Sequence, residues 1–367
     1  MKLSLVIPYY NTPAELVDRL FKSINEQKNF DFNELQIIFV DDCSPVKYDF
    51  ARIGKFDNLA DDKVCLINCK ENMGPGVARQ YGLHYAKGDY IMFADSDDRF
   101  MTVHKEQIKN GKKDKDGKDL YDEKEYGVFE FMFELIKAHP EADIIRTSWF
   151  EEQHKDEIKK VLYIPHLAQL DNTWMHGKLY KKEFITKNNV HFHPVLRGQE
   201  DSYFNSIAAE LAKDKVMAYN GLISYVWCDD HKESITRSKD WLYSFSGMVD
   251  FISAIDYSID WLNGLKRDDI NIVDKVISNI IYVYWMLQTP EWRAKKRRKY
   301  YNELRKRLAE FEKKYRDVWN YVKTKDGHFA QMYIERYNIE FDGKKFIPQE
   351  TFDQFLRKLR NEFNTKI

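Results

Sequence analysis

The chain lacks a long apolar run at its start. The apolar residues from Leu3 to Ile7 stop at Pro8, and this run is too short for the core of a signal peptide. The longest apolar stretch, near residues 276–287, has about a dozen residues and fits a buried helix better than a membrane span. These absences predict a cytoplasmic protein, either free or held at the surface of a membrane.

Cysteine is scarce, and a strong net charge is absent. The 367 residues include four cysteines, and none of them forms a C-x-x-C pair or another zinc spacing. We therefore expect reduced thiols and neither a disulfide framework nor a cysteine zinc site. The formal net charge is -1, so nucleic acid or an anionic membrane could be bound only by a local basic patch.

The first hundred residues alternate strand and helix patterns. Short apolar runs are separated by segments with helical spacing, as in Thr12–Gln27 and Gly74–Ala86. This alternation predicts an α/β fold with a mostly parallel sheet flanked by helices. The predicted strands are Leu3–Ile7, Leu35–Val40, Val64–Asn68 and Tyr90–Ala94.

Polar residues follow each of these strands at its carboxyl end. Asn11 comes after the first strand, Asp41 and Asp42 after the second, Asn72 after the third and residues 95–98 after the fourth. Ligands of open α/β sheets bind along that edge. The convergence of these residues predicts a site there.

Composition changes twice further along the chain. The stretch 105–125 is dense in charged residues and glycine, which predicts a flexible insertion because it cannot bury apolar surface. Strand patterns almost disappear after Trp241, and long helical patterns replace them. We predict an α/β domain over residues 1–240 and a helical accessory region over residues 241–367.

An acidic triplet follows the fourth strand. Alternate residues of a strand point the same way, so Asp95 and Asp97 can face one cavity. Two carboxylates there can hold Mg²⁺ or Mn²⁺ and share the remaining ligand positions with substrate phosphates. His231 is a candidate third ligand, although a lone histidine seldom has that role.

Two further segments carry groups suited to a phosphorylated substrate. Gly74 and Gly76 allow close backbone approach at a helix N-terminus, and Arg79 lies in the first turns of that helix. Glu200 and Asp201 begin another helix, where one carboxylate could act as a general base. Each segment alone is equally typical of a solvated loop or of acids that oppose a helix dipole.

Taken together, these segments resemble the family 2 glycosyltransferases, which have the GT-A fold. Order and spacing agree over about residues 1–240. The matching pieces are Val6-Ile7-Pro8-Tyr9-Tyr10-Asn11, Val40-Asp41-Asp42, Asn72-x-Gly74 with Ala78-Arg79, Lys87-Gly88-Asp89-Tyr90-Ile91 leading to Asp95-Ser96-Asp97-Asp98, Trp174 with Lys178-Leu179-Tyr180, Gln199-Glu200-Asp201 and Ser234-x-Thr236.

The resemblance implies an inverting transferase that uses a nucleotide-diphosphate sugar, with UDP as the expected nucleotide. It implies that Asp97 binds a divalent metal, with Asp95 near the metal or the ribose. It implies that Asp201 is the catalytic base, with Glu200 as the weaker candidate. The residues it places around the nucleotide sugar are Pro8, Tyr10, Asn11, Asp42, Asn72, Gly74, Arg79, Asp95, Ser96 and Lys178.

Departures from the family pattern leave the acceptor open. Cys43-Ser44 replaces the usual Gly-Ser, Gln80 follows Arg79 where Asn is common, and the charged insertion falls on the acceptor side of the cleft. A glycan or a lipid-linked glycan is the family default. The basic segment 293–307 also suggests a modified base in DNA, because clustered cations grip phosphates.

Two readings from other classes compete with the transferase. A nucleotidyltransferase would typically carry a Gly-rich basic loop after the first strand, where this chain has Tyr9-Tyr10-Asn11. A non-catalytic sugar-nucleotide binder would be expected to lose its metal or base carboxylates, yet Asp95, Asp97 and Asp201 are present. The sequence leaves the donor sugar, the linkage and the oligomeric state open.

Overall fold

A computed structural model describes residues 2–59, 63–113, 115, 118–155, 160–170, 173–231, 241–318 and 350–363, with the side chains of 241–244 left out. Ser234 and Thr236 lie outside these residues. The chain divides into two compact units, Met1–Ser234 and Ile235–Ile367. Within the ranges given, none of the helices combines the length and apolarity needed to cross a bilayer.

The first four strands are parallel and lie in the order β3-β2-β1-β4. Every residue of β1 and β2 is buried, as expected for strands covered by helices on both faces. The strands are β1 Leu3–Tyr9, β2 Leu35–Asp41, β3 Val64–Asn68, β4 Tyr90–Phe93, β5 Arg99–Phe100, β6 Val103–Lys113, β7 Asp119–Gly127, β8 Ile144–Lys155, β9 Lys160–His166, β10 Lys178–Lys181 and β11 Val216–Cys228.

Beyond β4 the sheet becomes mixed. The short strand β10 runs antiparallel to both β4 and β8, and β11 then pairs in parallel with β8. Strands β5 and β9 add antiparallel edges. Strand β11 is irregular and shifts register twice against β8.

The helices cover the sheet with apolar faces. Val17, Leu20, Phe21 and Ile24 of α1 are buried against the sheet, which follows from their helical spacing. The helices of this unit are α1 Ala14–Asn25, α2 Pro75–Tyr85, α3 Val128–Ala138, α4 Lys182–Lys187 and α5 Glu200–Ala212.

The charged stretch predicted as a flexible insertion is a β-hairpin. Strands β6 and β7 pair antiparallel from Val103 opposite Gly127 to Lys113 opposite Asp119. Its side chains are mostly exposed, so the composition correctly indicated that it buries little. Cross-strand ion pairs such as Lys105 with Glu123 take the place of an apolar core. Because positive and negative charges are nearly balanced in this segment, the sequence pattern did not indicate that the two strands pair.

The C-terminal unit is helical, as predicted, with its own apolar core. Its helices are α6 Trp241–Gly264, α7 Val273–Gln288, α8 Pro290–Arg293, α9 Arg298–Lys314 and α10 Phe352–Glu362. The basic segment 293–307 is not one continuous helix. It breaks at Ala294, where the backbone turns extended (φ -57°, ψ 131°) before α9 begins.

Candidate active site

The described structure gathers the predicted residues at the carboxyl ends of β1, β2 and β4 and at the first turns of α2 and α5. Arg79 joins two of these elements. Its Nη2 donates to Oδ1 of Asp95 at 2.6 Å, and its Nη1 donates to Oε1 of Glu200 at 2.5 Å. The sequence placed Arg79 near phosphates, but its guanidinium is buried and already bridges two carboxylates.

Charge explains the protonation states around this bridge. Burial alone would raise the pKa of Asp95, but the charges of Arg79 and His176 hold that pKa below its usual range. Burial also lowers the pKa of the Arg79 guanidinium. The negative charges of Asp95 and Glu200 outweigh the effect of burial, so the pKa is raised overall. Both partners are therefore ionised at neutral pH.

A glycine permits the close contact between α2 and α5. A Cβ added to Gly76 would lie 2.9 Å from the Cβ of Glu200, closer than real Cβ contacts. The sequence analysis assigned this glycine to ligand approach. In the structure its missing side chain lets Glu200 reach Arg79 one turn along α2.

Asp201 differs from its neighbour Glu200. Burial, together with the negative charge of Glu200, raises the pKa of Asp201 to about 7. The carboxylate is part-buried, and its Oδ1 accepts a hydrogen bond from the backbone N–H of Ser202 at 2.7 Å. Gln199 precedes the pair in a left-handed conformation (φ 58°), which is uncommon outside glycine and is frequent at functional sites.

Asp97 and His231 lie together. Nδ1 of His231 is 2.7 Å from Oδ2 of Asp97, although the two residues are far apart in sequence. Arg19 of α1 holds this corner, because it donates to the backbone oxygen of Asp97 and pairs with Asp230 at 2.5 Å. Arg19 is not among the predicted site residues, because one cation in an amphipathic helix is ordinary.

Asp98, the last acid of this segment, is buried and holds the turn. It accepts hydrogen bonds from the hydroxyl of Tyr225 and the backbone N–H of Cys228, both at 2.8 Å. Burial and the charges of Asp97 and Asp95 raise the pKa of Asp98 well above its usual range. The Tyr225 hydroxyl also accepts from the backbone N–H of Asp95.

His176 is a site residue that the sequence analysis missed. Its ring stacks on Tyr225 at 4.9 Å, and it offers a nitrogen within 4.8 Å of carboxylate oxygens of Asp95 and Asp98. The segment that carries it was noticed only for Trp174 and Lys178. Lys178 is buried and donates to the backbone oxygen of Trp174, so its ammonium is used within the fold.

Asp42 fixes the loop that precedes α2. Its two carboxylate oxygens accept the backbone N–H groups of Met73 at 2.9 Å and of Gly74 at 2.7 Å. Burial raises the pKa of Asp42 despite these bonds. Arg197 clasps the same loop through the side-chain and backbone oxygens of Asn72. A nucleotide base would have to share the Asp42 oxygens with the loop.

The remaining predicted residues line the ends of β1 and β4. Pro8 is buried within β1, whereas Tyr10 is exposed and free to meet a ligand. The backbone N–H of Asn11, which has a positive φ of 53°, donates to Ser44. Ser96 shares a 2.7 Å hydrogen bond with Thr12.

The three predicted metal ligands divide into two groups. Asp97 and His231 offer one carboxylate and one imidazole side by side, a donor set that suits Mn²⁺ or Mg²⁺ together with substrate oxygens. Asp95 has one oxygen committed to Arg79, so it could offer only the other. Asp97 and His231, with the second oxygen of Asp95, therefore offer donor atoms of the kind that a divalent ion can take.

Part of the chain is similar to known glycosyltransferases. Residues 4–116 match the model of the family described as Glycosyl transferase family 2. The chain is 25% identical over 228 residues to the poly(ribitol-phosphate) beta-N-acetylglucosaminyltransferase TarS of Staphylococcus aureus, a match that covers 60% of this chain and 35% of TarS. The chain therefore spans about a third of the length of that curated relative.

Two further relatives are matched over more of their own length. An uncharacterized glycosyltransferase of Methanocaldococcus jannaschii is 26% identical over 66% of this chain and 77% of its own length. The crystal structure of S. aureus TarS 1-349 in complex with UDP-GlcNAc is similar over 96% of this chain and 98% of its own, with a TM-score of 0.60 and 17% identity. This likeness confirms the predicted α/β GT-A fold.

Proposed function

We propose that the chain is a family 2 glycosyltransferase that transfers a sugar from a UDP-sugar to an acceptor hydroxyl with inversion of configuration, a proposal supported by the family match over residues 4–116 and by the similarity to TarS. The observation that carries this proposal is the pair of unlike carboxylates at the start of α5. Glu200 is held by Arg79, whereas Asp201 has a pKa of about 7 and is part-exposed.

Asp201 is the general base of the proposed reaction, and Glu200 is a positioning residue. The acceptor hydroxyl gives its proton to Asp201 as its oxygen bonds to the anomeric carbon. The bond from that carbon to the diphosphate breaks in the same displacement, and the nucleoside diphosphate leaves with the electron pair. A base works best with a pKa near the working pH, and about 7 meets that condition.

The donor side of the site is organised by the Arg79 bridge. Arg79 keeps Asp95 ionised and holds it beside the turn that presents Asp97. Asp97 and His231 are the residues that would hold a divalent metal, which would neutralise charge on the diphosphate when bound. Tyr10 and the loop from Asn72 to Gly74 are placed to contact the nucleotide.

UDP-GlcNAc is the first donor to test, because it occupies the TarS structure that this fold resembles. The acceptor we propose is a hydroxyl on a polymer of polyol phosphates or on a related glycan, in keeping with the substrate in the TarS name. The names of both relatives give no support to a DNA acceptor, and the family match supports a glycosyltransferase over the nucleotidyltransferase alternative.

Donor binding tests the proposed function directly. UDP-GlcNAc with Mn²⁺ should raise the melting temperature, because a ligand at a hundred times its Kd adds about 2.7 kcal/mol to the free energy of unfolding. Free N-acetylglucosamine with Mn²⁺ is the control and should give no shift. If no nucleotide sugar shifts the melting temperature or yields transfer to a poly(ribitol phosphate) acceptor, the proposed function is wrong.

The metal assignment has its own test. Asp97→Ala should lose Mn²⁺-dependent turnover and Mn²⁺ binding measured by calorimetry, while the melting temperature in the absence of metal changes little. Asp214→Ala, which removes an exposed carboxylate near the other end of α5, is the matched control and should behave like the parent protein. Undiminished donor hydrolysis by the Asp97 variant would refute the assignment.

A further inference from the structure

A groove in the C-terminal unit is unusually rich in positive charge. It has a volume of about 1010 Å³ and lies between the start of α9, the segment before it and α10. Five of its lining side chains are cations, and two are carboxylates. The cations are Arg293, Lys295, Arg298, Arg305 and Lys358.

The two carboxylates neutralise only part of this charge. Glu362 pairs with Arg305 at 2.6 Å. Glu350 pairs with Arg293 at 3.2 Å and with Lys358 at 2.7 Å. Lys295 and Arg298 have no ion pair with any residue that the structure describes, and both are exposed. The groove therefore keeps a net positive charge at its α9 end.

The position of these cations in α9 is unfavourable for the helix itself. Every residue from Lys295 to Lys299 is basic, and the first turn of α9 contains no acid. The N-terminus of a helix carries a partial positive charge and unpaired N–H groups, so cations there destabilise the helix. A bound anion would relieve this repulsion.

The basic side chains form a row rather than a single point. Arg298, Tyr301, Asn302 and Arg305 all line the groove and follow the i, i+3, i+4, i+7 spacing of one helix face. Seven residues of helix place Arg298 and Arg305 about 10 Å apart along the axis. Arg305 is largely buried and lies 5.6 Å from the ring of Tyr301, so the far end of the row is fixed.

We propose that this groove binds the phosphodiester backbone of the acceptor polymer, so that the helical unit holds the chain whose hydroxyl is glycosylated. The identity of the acceptor in this inference rests on the proposed function. The location of the binding site rests on the groove alone. A row of cations about 10 Å long suits successive phosphates better than one isolated phosphate. Stacked nucleic acid bases would need exposed rings, but of the two rings that line the groove Trp292 is buried and Tyr301 is part-buried with Arg305 at 5.6 Å.

Charge reversal at the groove tests this location. The double variant Lys295→Glu/Arg298→Glu should weaken binding of fluorescent poly(ribitol phosphate) by at least about tenfold and make it less salt-dependent, because phosphate contacts release counterions. Lys306→Glu/Lys313→Glu changes the same total charge at two exposed positions of α9 outside the groove and should bind nearly as the parent does. Both variants should keep the UDP-GlcNAc thermal shift.

Each outcome decides for or against the groove. Equal losses in the two double variants would show a general charge effect and would overturn the proposal. So would unchanged polymer binding, or stronger binding of duplex DNA or of vesicles with anionic phospholipid than of the polymer. A raised KM for the polymer with unchanged donor binding would support it. If UDP-GlcNAc does not raise the melting temperature of the unaltered protein, that result would instead count against the proposed function.

Discussion

Asp201→Asn should lower kcat/KM for transfer by about 10² to 10⁴, because a positioned general base contributes that much to rate. Donor affinity should stay near that of the parent, since asparagine keeps the size of the side chain and can accept the hydrogen bond from the Ser202 N–H. Transfer assays at saturating UDP-GlcNAc measure the loss of kcat/KM, and calorimetry of donor binding measures the donor affinity. Asp214→Asn, an exposed carboxylate after the same helix, is the matched control.

The pH dependence of transfer and of stability in the parent protein and in Asp201→Asn strengthens this test. The pKa of Asp201 is raised to about 7, so kcat/KM of the parent should rise about tenfold per pH unit below 7 and level off above it. The same shift makes the ionised carboxylate unfavourable in the fold, so the stability that the protonated group contributes at low pH is lost as pH rises from the unfolded pKa of about 4 to the folded pKa of about 7. Asp201→Asn should therefore gain stability relative to the parent between about pH 4 and about pH 7, and the difference should stay level at higher pH. A transfer rate unchanged by the substitution, or an unchanged pH profile, would exclude Asp201 as the base.

Arg79→Met should cost about 3–5 kcal/mol of unfolding free energy, because it leaves two carboxylates without their buried cation. Donor binding should fall with stability, since the bridge holds the acidic turn beside α5. Urea denaturation and UDP-GlcNAc calorimetry measure the two effects. Arg52→Met, which breaks the more exposed pair with Asp18, should cost far less.

A second substitution separates charge from packing at the bridge. Adding Glu200→Gln to Arg79→Met removes one of the unpaired carboxylates, so the double variant should be more stable than the single one. The catalytic base remains in that variant. If the double variant is no more stable than Arg79→Met, lost packing of the arginine explains the defect and the electrostatic account of the bridge fails.

Local sequence patterns predicted most of the helices and strands and most of the candidate site residues. Burial on both faces makes parallel strands near-continuous apolar runs, so β1 to β4 stood out from their neighbours. An acid after a strand marked Asp97 as a candidate, and an acid at the start of a helix marked Asp201. The hairpin over β6 and β7 was missed because its strands bury almost no apolar surface and leave no alternation to detect.

Partnerships across the chain were beyond the reach of local patterns. Nothing near Arg79 indicates Glu200, which is 121 positions away, and nothing near Asp97 indicates His231, which is 134 positions away. Arg19 and His176 carry no local signal at all. Each acquires its role only from neighbours that the folded chain supplies.

The sequence by itself predicted the α/β fold, the resemblance to the family 2 glycosyltransferases and the set of acidic residues from which a site could be built. Tertiary structure decided how those acids differ. Glu200 and Asp201 are adjacent and chemically alike, yet Glu200 pairs with Arg79, whereas burial and the charge of Glu200 raise the pKa of Asp201 to about 7. The reason is physical: a carboxylate's proton affinity depends on the charges and solvent around it, and the fold alone sets both.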